Sequence, residues 1–424
     1  MTLLIRGGRV VDPAQGLDRQ ADVLVEDGKV VEVGKVSPKK QWEIIEAKGC
    51  LVTPGLIDMH VHLREPGYEE KETIQTGARA AVAGGFSSVA CMPNTNPVND
   101  CEAVTRFICE RAREVGLVNV FPIGAVTKGS QGRELAEMGQ MVEAGAVAFS
   151  DDGRPVSNHQ IMRRAMEYAK IFDVPILDHC EDPDLTARGS MNESRVSTEL
   201  GLRGANALAE ELHVARDLMV ARLTGGRVHI CHLSSAYSLH WVRRGKAEGV
   251  NITCEVAPHH LVLTDEAVRS YDTNLKMNPP LRTQEDVHAL LEGLADGTVD
   301  CIATDHAPHL RQDKEVTFEE AAHGVIGLET AVSLVWEFLV NRDVISPSRA
   351  VELMSLNPSR ILKLGRGSLE PGRPADVTLI DPAKEVVVDV AEFHSKGRNC
   401  PYHGWRLRGA PVMTIVSGRV SYPF

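Results

Sequence analysis

His60 and His62 stand one residue apart and form the most chemically loaded pair in the chain. In an extended strand side chains alternate between faces, so both imidazoles leave on one side, spaced to grip one cation. Arg64 comes one further step along that face, where a guanidinium would hold an anionic substrate. Leu51, Val52, Leu56 and Ile57, with Gly55 after Pro54, read as a strand entering a core. Taken alone, such a pair fits two hydrogen-bonded histidines as well as a metal site.

Groups of the same chemistry recur along the chain. Phe149-Ser150-Asp151-Asp152-Gly153, Asp178-His179-Cys180-Glu181, His229 with His232, and Ala303-Thr304-Asp305-His306-Ala307-Pro308-His309 each lie in or just after a short apolar run, as does Met92-Pro93-Asn94-Thr95-Asn96. Buried unpaired charge is costly, so repeated acids and imidazoles at strand ends are hard to explain as core residues. Imidazole and carboxylate suit borderline cations such as zinc. Four histidines and two aspartates among these groups exceed what one tetrahedral ion takes. A carboxylate can bridge two ions, and a spare one can carry a proton. The implied chemistry is metal-activated water attacking a carbonyl carbon, or the reverse condensation.

Eight strand-like runs must position these groups: 56–63, 87–92, 120–126, 146–150, 175–179, 227–233, 251–256 and 299–304. Helical patterns such as 71–83, 103–115, 160–172 and 205–223 separate them, and Gly84-Gly85, Gly145, Gly225-Gly226 and Gly249 match C-caps. The rhythm predicts an α/β fold, a (β/α)8 barrel of the TIM type over residues 55–365, with its site at the C-terminal strand ends. A doubly wound open sheet is the alternative. No Gly-x-Gly-x-x-Gly follows a strand, so a dinucleotide site has no support. The chain's two ends read differently. Short apolar runs at 3–5, 10–11, 23–25 and 30–33, and again at 376–380, 385–388 and 413–416, alternate with turns such as Glu26-Asp27-Gly28-Lys29. Residues 1–54 and 366–424 are expected to join in one small β-sandwich domain.

Composition narrows the function classes. The 424 residues are 43% hydrophobic and 25% charged, enough for a sizeable core. A net charge of -12 speaks against a nucleic-acid-binding surface. The nine cysteines form no Cys-x-x-Cys pair, which fits a reduced, cytoplasmic setting. Residues 1–8 read as a strand and not a signal peptide, and no apolar run reaches membrane-span length.

The motifs Pro54-Gly55-Leu56-Ile57-Asp58-Met59-His60-Val61-His62-Leu63-Arg64, Met92-Pro93-Asn94-Thr95, Phe149-Ser150-Asp151-Asp152-Gly153, Asp178-His179-Cys180-Glu181, Lys276-Met277-Asn278-Pro279-Pro280-Leu281-Arg282 and the run 303–309 together resemble the long-form dihydroorotases of the amidohydrolase superfamily. The resemblance runs essentially end to end. It implies zinc-dependent, reversible closure of N-carbamoyl-L-aspartate to dihydroorotate in pyrimidine biosynthesis. It implies one or two Zn2+ ions, with His60, His62 and Asp305 on the first, Asp152 bridging, and His179 with His232 on the second. Asp305 would double as general acid/base. Arg64 and Asn94 would hold the substrate carboxylate, and Asn278 and His309 the ring or the carboxylate. Ala321-Ala322-His323-Gly324 stands where the family often has Phe-Gly or Pro-Gly, which makes His323 and Gly324 substrate-side candidates. A homo-oligomer and a complex with aspartate carbamoyltransferase are further implications.

Blander roles compete at several positions. Asp151 is expected to cap its turn, His229 to lie behind the barrel wall, and His259, His260 and His306 to be structural. Alternation turns Cys180 away from His179, so a buried thiol is expected there, with zinc capture in an idle state as the alternative. Residues 311–320 are either a solvated loop or a lid. Two rival functions remain in view. Hydantoinases and allantoinases usually bridge their metals with a carboxylated lysine at the fourth strand, and residues 146–153 contain none. A non-catalytic scaffold for a carbamoyltransferase would have lost its ligands, whereas all six positions are filled.

Overall fold

Short apolar strands form the centre of the computed structural model, which describes residues 2–424. Leu56–Val61, Phe86–Cys91, Asn119–Gly124, Ala148–Phe149, Ile176–Asp178, Val228–Ile230, Ile252–Val256 and Cys301–Ile302 lie side by side in chain order. Every neighbouring pair is parallel, as helical crossovers require. The ring closes between its last and first strands. The His62 amide donates to the His306 carbonyl at 2.9 Å, and the Thr304 amide to Asp58 Oδ1 at 3.1 Å. This is the expected (β/α)8 barrel. Met59, Ala90, Ile123, Ala148, Leu177, Cys231 and Cys301 belong to one buried cluster in its interior, a packed core and not a pore. Two strands are shorter than their apolar runs, Ala148–Phe149 and Cys301–Ile302 holding two residues each. Pairing stops early where the chain turns outward to build the rim.

Outer helices include Ile74–Ala83, Glu102–Val115, His159–Ala169 and Leu208–Thr224. Their ends obey local chemistry. Thr73 closes a capping box, and Asn158 accepts from the amides of Gln160 and Ile161. Gly116 and Gly225 take left-handed conformations that end their helices.

The two termini share one sheet, in the order Arg419–Tyr422, Arg406–Val416, Val377–Val387, Leu51–Pro54, Thr2–Asp12, Leu17–Glu26, Lys29–Gly34, with Glu43–Glu46 beside Thr2–Asp12. Leu51–Pro54 is the seam. It pairs antiparallel with Val377–Val387 and parallel with Thr2–Asp12, and after Gly55 the chain enters the barrel. The Asp27-Gly28 turn has φ 48° and 78°, the mirror-type turn whose twist suits a hairpin. Leu3, Ile5, Val23, Val52, Val377 and Ile415 give this sheet its own core. All nine cysteines are free. No helix among the described residues is long and apolar enough to cross a membrane.

Candidate metal centre

Strand ends carry the cluster. Pairing of the first strand slips between Asp58 and Val61, an irregularity that re-aims side chains, so Met59 joins the interior while His60 and His62 both face the site. Asp152, His179, His232 and Asp305 follow the fourth, fifth, sixth and eighth strands within three residues. Arg64, His232 and Asp305 have φ of 62°, 32° and 48°, a left-handed region that costs a residue with a side chain about 1–3 kcal/mol. At these points the chain bends sharply and turns the side chain toward the barrel mouth. Arg64 therefore owes its place to this bend and not to strand alternation, since regular pairing ends at Val61.

All six candidate ligands are buried. Asp152 Oδ1 lies 3.5 Å from His60 Nε2, 3.5 Å from His179 Nδ1 and 3.6 Å from His232 Nε2, and Oδ2 lies 3.5 Å from His62 Nε2. Asp305 Oδ1 is 3.5 Å from His60 Nε2 and 3.0 Å from His62 Nε2. Two ligands about 2.0–2.1 Å from a tetrahedral cation stand about 3.3 Å apart, which is the spacing seen here. His60 Nε2 and Asp152 Oδ1 are buried without a hydrogen-bond partner among the described residues, and such atoms are expensive unless something satisfies them. His60, His62 and Asp305 form one group that could hold an ion, and His60, Asp152 and His232 another. His179 Nδ1 and His232 Nε2 stand 2.9 Å apart, so a cation between them would push them apart by a few tenths of an ångström.

Charge points the same way. Burial opposes protonation of His60, but Glu255 and Asp152 outweigh it and hold the ring well above the usual histidine range. Burial also works against charge on His179, yet Asp152 and Glu181 push it up to about 10. Burial would raise Asp152 and Asp305, but the imidazoles pull both below the usual carboxylate range. The pocket is thus organised around positive charge, which a divalent cation supplies in place of imidazole protons.

Two carboxylates behind the histidines escaped the sequence reading. Glu255 Oε1 meets His60 Nδ1 at 2.6 Å, and Oε2 meets His229 Nε2 at 3.2 Å. Held against burial by His60 and His229, Glu255 sits at about 2. The signal was an acid inside the apolar strand Ile252–Val256, where only a partnered charge survives. Glu181 Oε2 meets His179 Nε2 at 2.9 Å and Asn278 Nδ2 at 2.7 Å. Such partners fix tautomer and ring orientation.

The remaining candidates divide by contact. Asn94 Oδ1 accepts from His62 Nδ1 at 2.8 Å, which leaves its amide nitrogen without a partner among the described residues. Among the described residues Arg64 bonds only through Nε, to the Pro308 carbonyl at 3.3 Å, which leaves its two terminal nitrogens to meet an anion. His309 Nε2 donates to the His323 carbonyl at 2.7 Å. The His323 side chain lines a small cavity with Glu181 and Asn278. At Gly324, φ is 123° and an added Cβ would come within 2.7 Å of Ala307 Cβ, so only glycine fits without strain. Asp151 does not cap its own turn. It accepts from the amides of Val126 and Thr127 at 2.8 and 3.1 Å and so ties two strand ends together. His306 holds Glu72 and receives the Gly327 amide, and His260 donates to the Pro279 carbonyl behind Asn278. Cys180 faces Asp178 and Asp217, with burial first and these carboxylates next pushing its thiol pKa far up. A thiolate there is disfavoured, and Arg216 pairs with both acids.

The stretch 311–320 is tethered. Lys314 is buried and donates to the carbonyls of Thr273, Lys276 and Ala322 at 2.9, 3.2 and 2.7 Å. Lys276 donates back to the Glu319 carbonyl at 2.8 Å, and Lys71 pairs with Asp313 at 2.8 Å. This loop is stapled to the segment that carries Asn278.

Comparison with known proteins points to one family. Residues 49–238 match the family model described as Dihydro-orotase-like. The chain is 57% identical over 420 residues to the dihydroorotase of Pelotomaculum thermopropionicum, covering 99% of this chain and 98% of that one. It is 53% identical to the dihydroorotase of Citrifermentans bemidjiense over 423 residues, the full length of both. In fold it is similar to the L-hydantoinase (dihydropyrimidinase) of Arthrobacter aurescens, with TM-score 0.89 at 24% identity over 99% of this chain and 95% of that one. A dihydropyrimidinase from Brevibacillus agri gives TM-score 0.86 at 22% identity, with the same coverage.

Proposed function

Because the chain belongs to the dihydroorotase family, we propose that it interconverts N-carbamoyl-L-aspartate and (S)-dihydroorotate, the ring-closing step of pyrimidine biosynthesis, as a zinc enzyme. The observation that carries the reading is Asp152, one carboxylate within 3.5–3.6 Å of His60, His62, His179 and His232. In this reading His60, His62 and Asp305 hold the first ion, Asp152 bridges, and His179 with His232 hold the second. Bound there, zinc supplies Lewis acidity and makes water acidic near neutral pH.

The chain's own residues do the rest. Arg64, through its two free nitrogens, and Asn94, through its free amide nitrogen, clamp the substrate carboxylate. Asn278 and His309 border the ring, with His323 and Gly324 behind them. In hydrolysis Asp305 takes a proton from the attacking water and passes it to the ring nitrogen as the amide bond breaks. In synthesis it takes that proton from the ureido nitrogen and returns it to the departing water. Synthesis consumes a carboxylate charge and a proton, so lower pH favours it. Cytoplasmic residence and association with aspartate carbamoyltransferase belong to the same reading.

The test is turnover of purified protein, loaded with zinc, on dihydroorotate, hydantoin and allantoin. Dihydroorotate alone should be opened. Hydrolysis of hydantoin without dihydroorotate would replace this reading with the rival amidase, and no turnover of any of them, even with the carbamoyltransferase added, would favour a scaffold. Asp305→Asn should lower kcat by about 100-fold or more with KM little changed; a wild-type kcat would remove the proton-carrying role.

A further inference from the structure

We propose that Asn399 is a positioning residue for the substrate, a side chain of the C-terminal segment that holds the barrel-mouth loops carrying His309 and Gly324 in register with each other. The inference rests on the reading of His309 and Gly324 as substrate-side residues. Asn399 lies in an irregular stretch between the short helical turn Val390–Glu392 and the strand Arg406–Val416. By chain order it belongs with the terminal sheet. Yet it is 4% exposed, and among the described residues each hydrogen bond of its side chain goes to the barrel.

Nδ2 donates to the Ala307 carbonyl at 2.9 Å and to the Gly324 carbonyl at 3.1 Å. Oδ1 accepts from the His309 amide at 3.1 Å, and the Asn399 carbonyl accepts from the Ile326 amide at 3.0 Å. Two carbonyls and one amide fix which end of the carboxamide points where. One residue thus clasps the loop after the eighth strand to the loop at 324–326. Ala307 and Gly324 are buried, and buried carbonyls need partners. The clasp reaches further through the Gly324 amide, which donates to the Lys276 carbonyl at 2.9 Å, on the segment that carries Asn278.

The stretch that bears Asn399 is itself fastened. Ser395 Oγ donates to Glu72 Oε2 at 2.5 Å, and the Lys396 amide to Glu72 Oε1 at 3.2 Å. Glu72 is fully buried and also holds His306. Between these anchors Gly397 lies directly on both loops. An added Cβ there would come within 2.8 Å of Ile326 Cγ2 and 2.9 Å of Pro308 Cβ. Held at Glu72, the stretch is a fixed reference against which the two loops are set. Without the carboxamide the loops must shift to find other partners, and a shift of about 1 Å in a group that orients substrate is costly. The C-terminal segment therefore completes the substrate side of a site whose metal ligands all come from the barrel.

The test compares variants of the full-length, zinc-loaded chain. Asn399→Ala should raise KM for dihydroorotate about tenfold, with kcat within about threefold of wild type and metal content unchanged. Hydrogen–deuterium exchange at residues 307–309 and 324–326 should quicken about tenfold, with the terminal sheet unchanged. Asn399→Asp keeps the shape and the acceptor but turns a carboxylate toward two carbonyls, so it should show both effects, and it carries the test where the alanine variant does not fold. Thr414→Val is the stability control. Thr414 is buried and its Oγ1 donates to the Val82 carbonyl at 2.7 Å, joining the same terminal segment to the far end of the helix Ile74–Ala83, away from the ligands. It should lower Tm and leave KM unchanged. Wild-type exchange at both loops in the Asn399 variants overturns the proposal, and so does an equal rise in KM from Thr414→Val, which would make Asn399 a general stabiliser. His309→Ala separates the remaining outcomes. If it raises KM while the Asn399 variants exchange faster at wild-type KM, the positioning role falls alone. If His309→Ala keeps the wild-type KM, the substrate-side reading of His309 falls and takes the proposal with it.

Discussion

His60 and His179 stand on either side of Asp152 Oδ1, each 3.5 Å away, yet the protein grips them differently. His60 turns Nε2 to the cluster and gives Nδ1 to Glu255, a carboxylate 1% exposed on a barrel strand and shared with His229. His179 is reversed. It turns Nδ1 inward and gives Nε2 to Glu181, whose side chain is 20% exposed and shared with Asn278. His232, its neighbour, has a buried Nδ1 without a hydrogen-bond partner among the described residues. A charge-assisted hydrogen bond gains strength where water is excluded, so the first half is the preorganised one. The second half is wired through Glu181 to the loop that carries Asn278. The two halves of the cluster thus differ in how firmly their histidines are held.

The largest break comes from the rigid half. His60→Ala should cut kcat/KM more than about 1,000-fold and lower bound metal on elemental analysis. Full metal content with normal turnover would mean the ring is not a ligand. The comparison itself is sharpened by two partner variants measured against a competing chelator. Glu255→Gln should weaken metal retention about 100-fold, and Glu181→Gln about tenfold with a rise in KM, because Asn278 is released with it. Equal losses in both would dissolve the distinction drawn between the halves.

The smallest effect lies outside both. Glu329 accepts the amides of His394 and Ser395, and burial, only partly offset by those bonds, raises its carboxyl to about 7 from 4.5. Between those two values the folded chain keeps a proton that the unfolded chain releases. Stability therefore falls as pH rises through that window and levels off above it. Glu329→Gln should remove this fall, read as a flatter dependence of Tm on pH; an unchanged slope would assign the dependence elsewhere.

Most of the site was legible because its chemistry is local. An imidazole or carboxylate at the end of an apolar run announces itself, and the family resemblance singles out His60, His62, Asp152, His179, His232 and Asp305 among such groups. Glu255 was missed because a single acid within a strand carries no motif; its meaning lies in His60, 195 residues away in sequence. Asp151 was read as a turn cap because Asp-Gly is a turn signal, but its carboxylate serves the neighbouring strand end instead. The tether at Lys314 was invisible for a similar reason. Its three acceptors are backbone carbonyls, and carbonyls have no sequence signature.

Apolar periodicity and turn chemistry, both short-range, were enough to determine the order of strands and helices, the barrel and the joining of the two termini in one β-rich domain; that this domain is one continuous sheet came from the structure. Only the tertiary structure decided where the side chains point at the rim. Beyond the last paired residue alternation no longer applies, and Arg64, His232 and Asp305 are aimed by left-handed backbone conformations. Such conformations are disfavoured locally. They persist because the closed ring of strands leaves the chain no cheaper way to converge on Asp152.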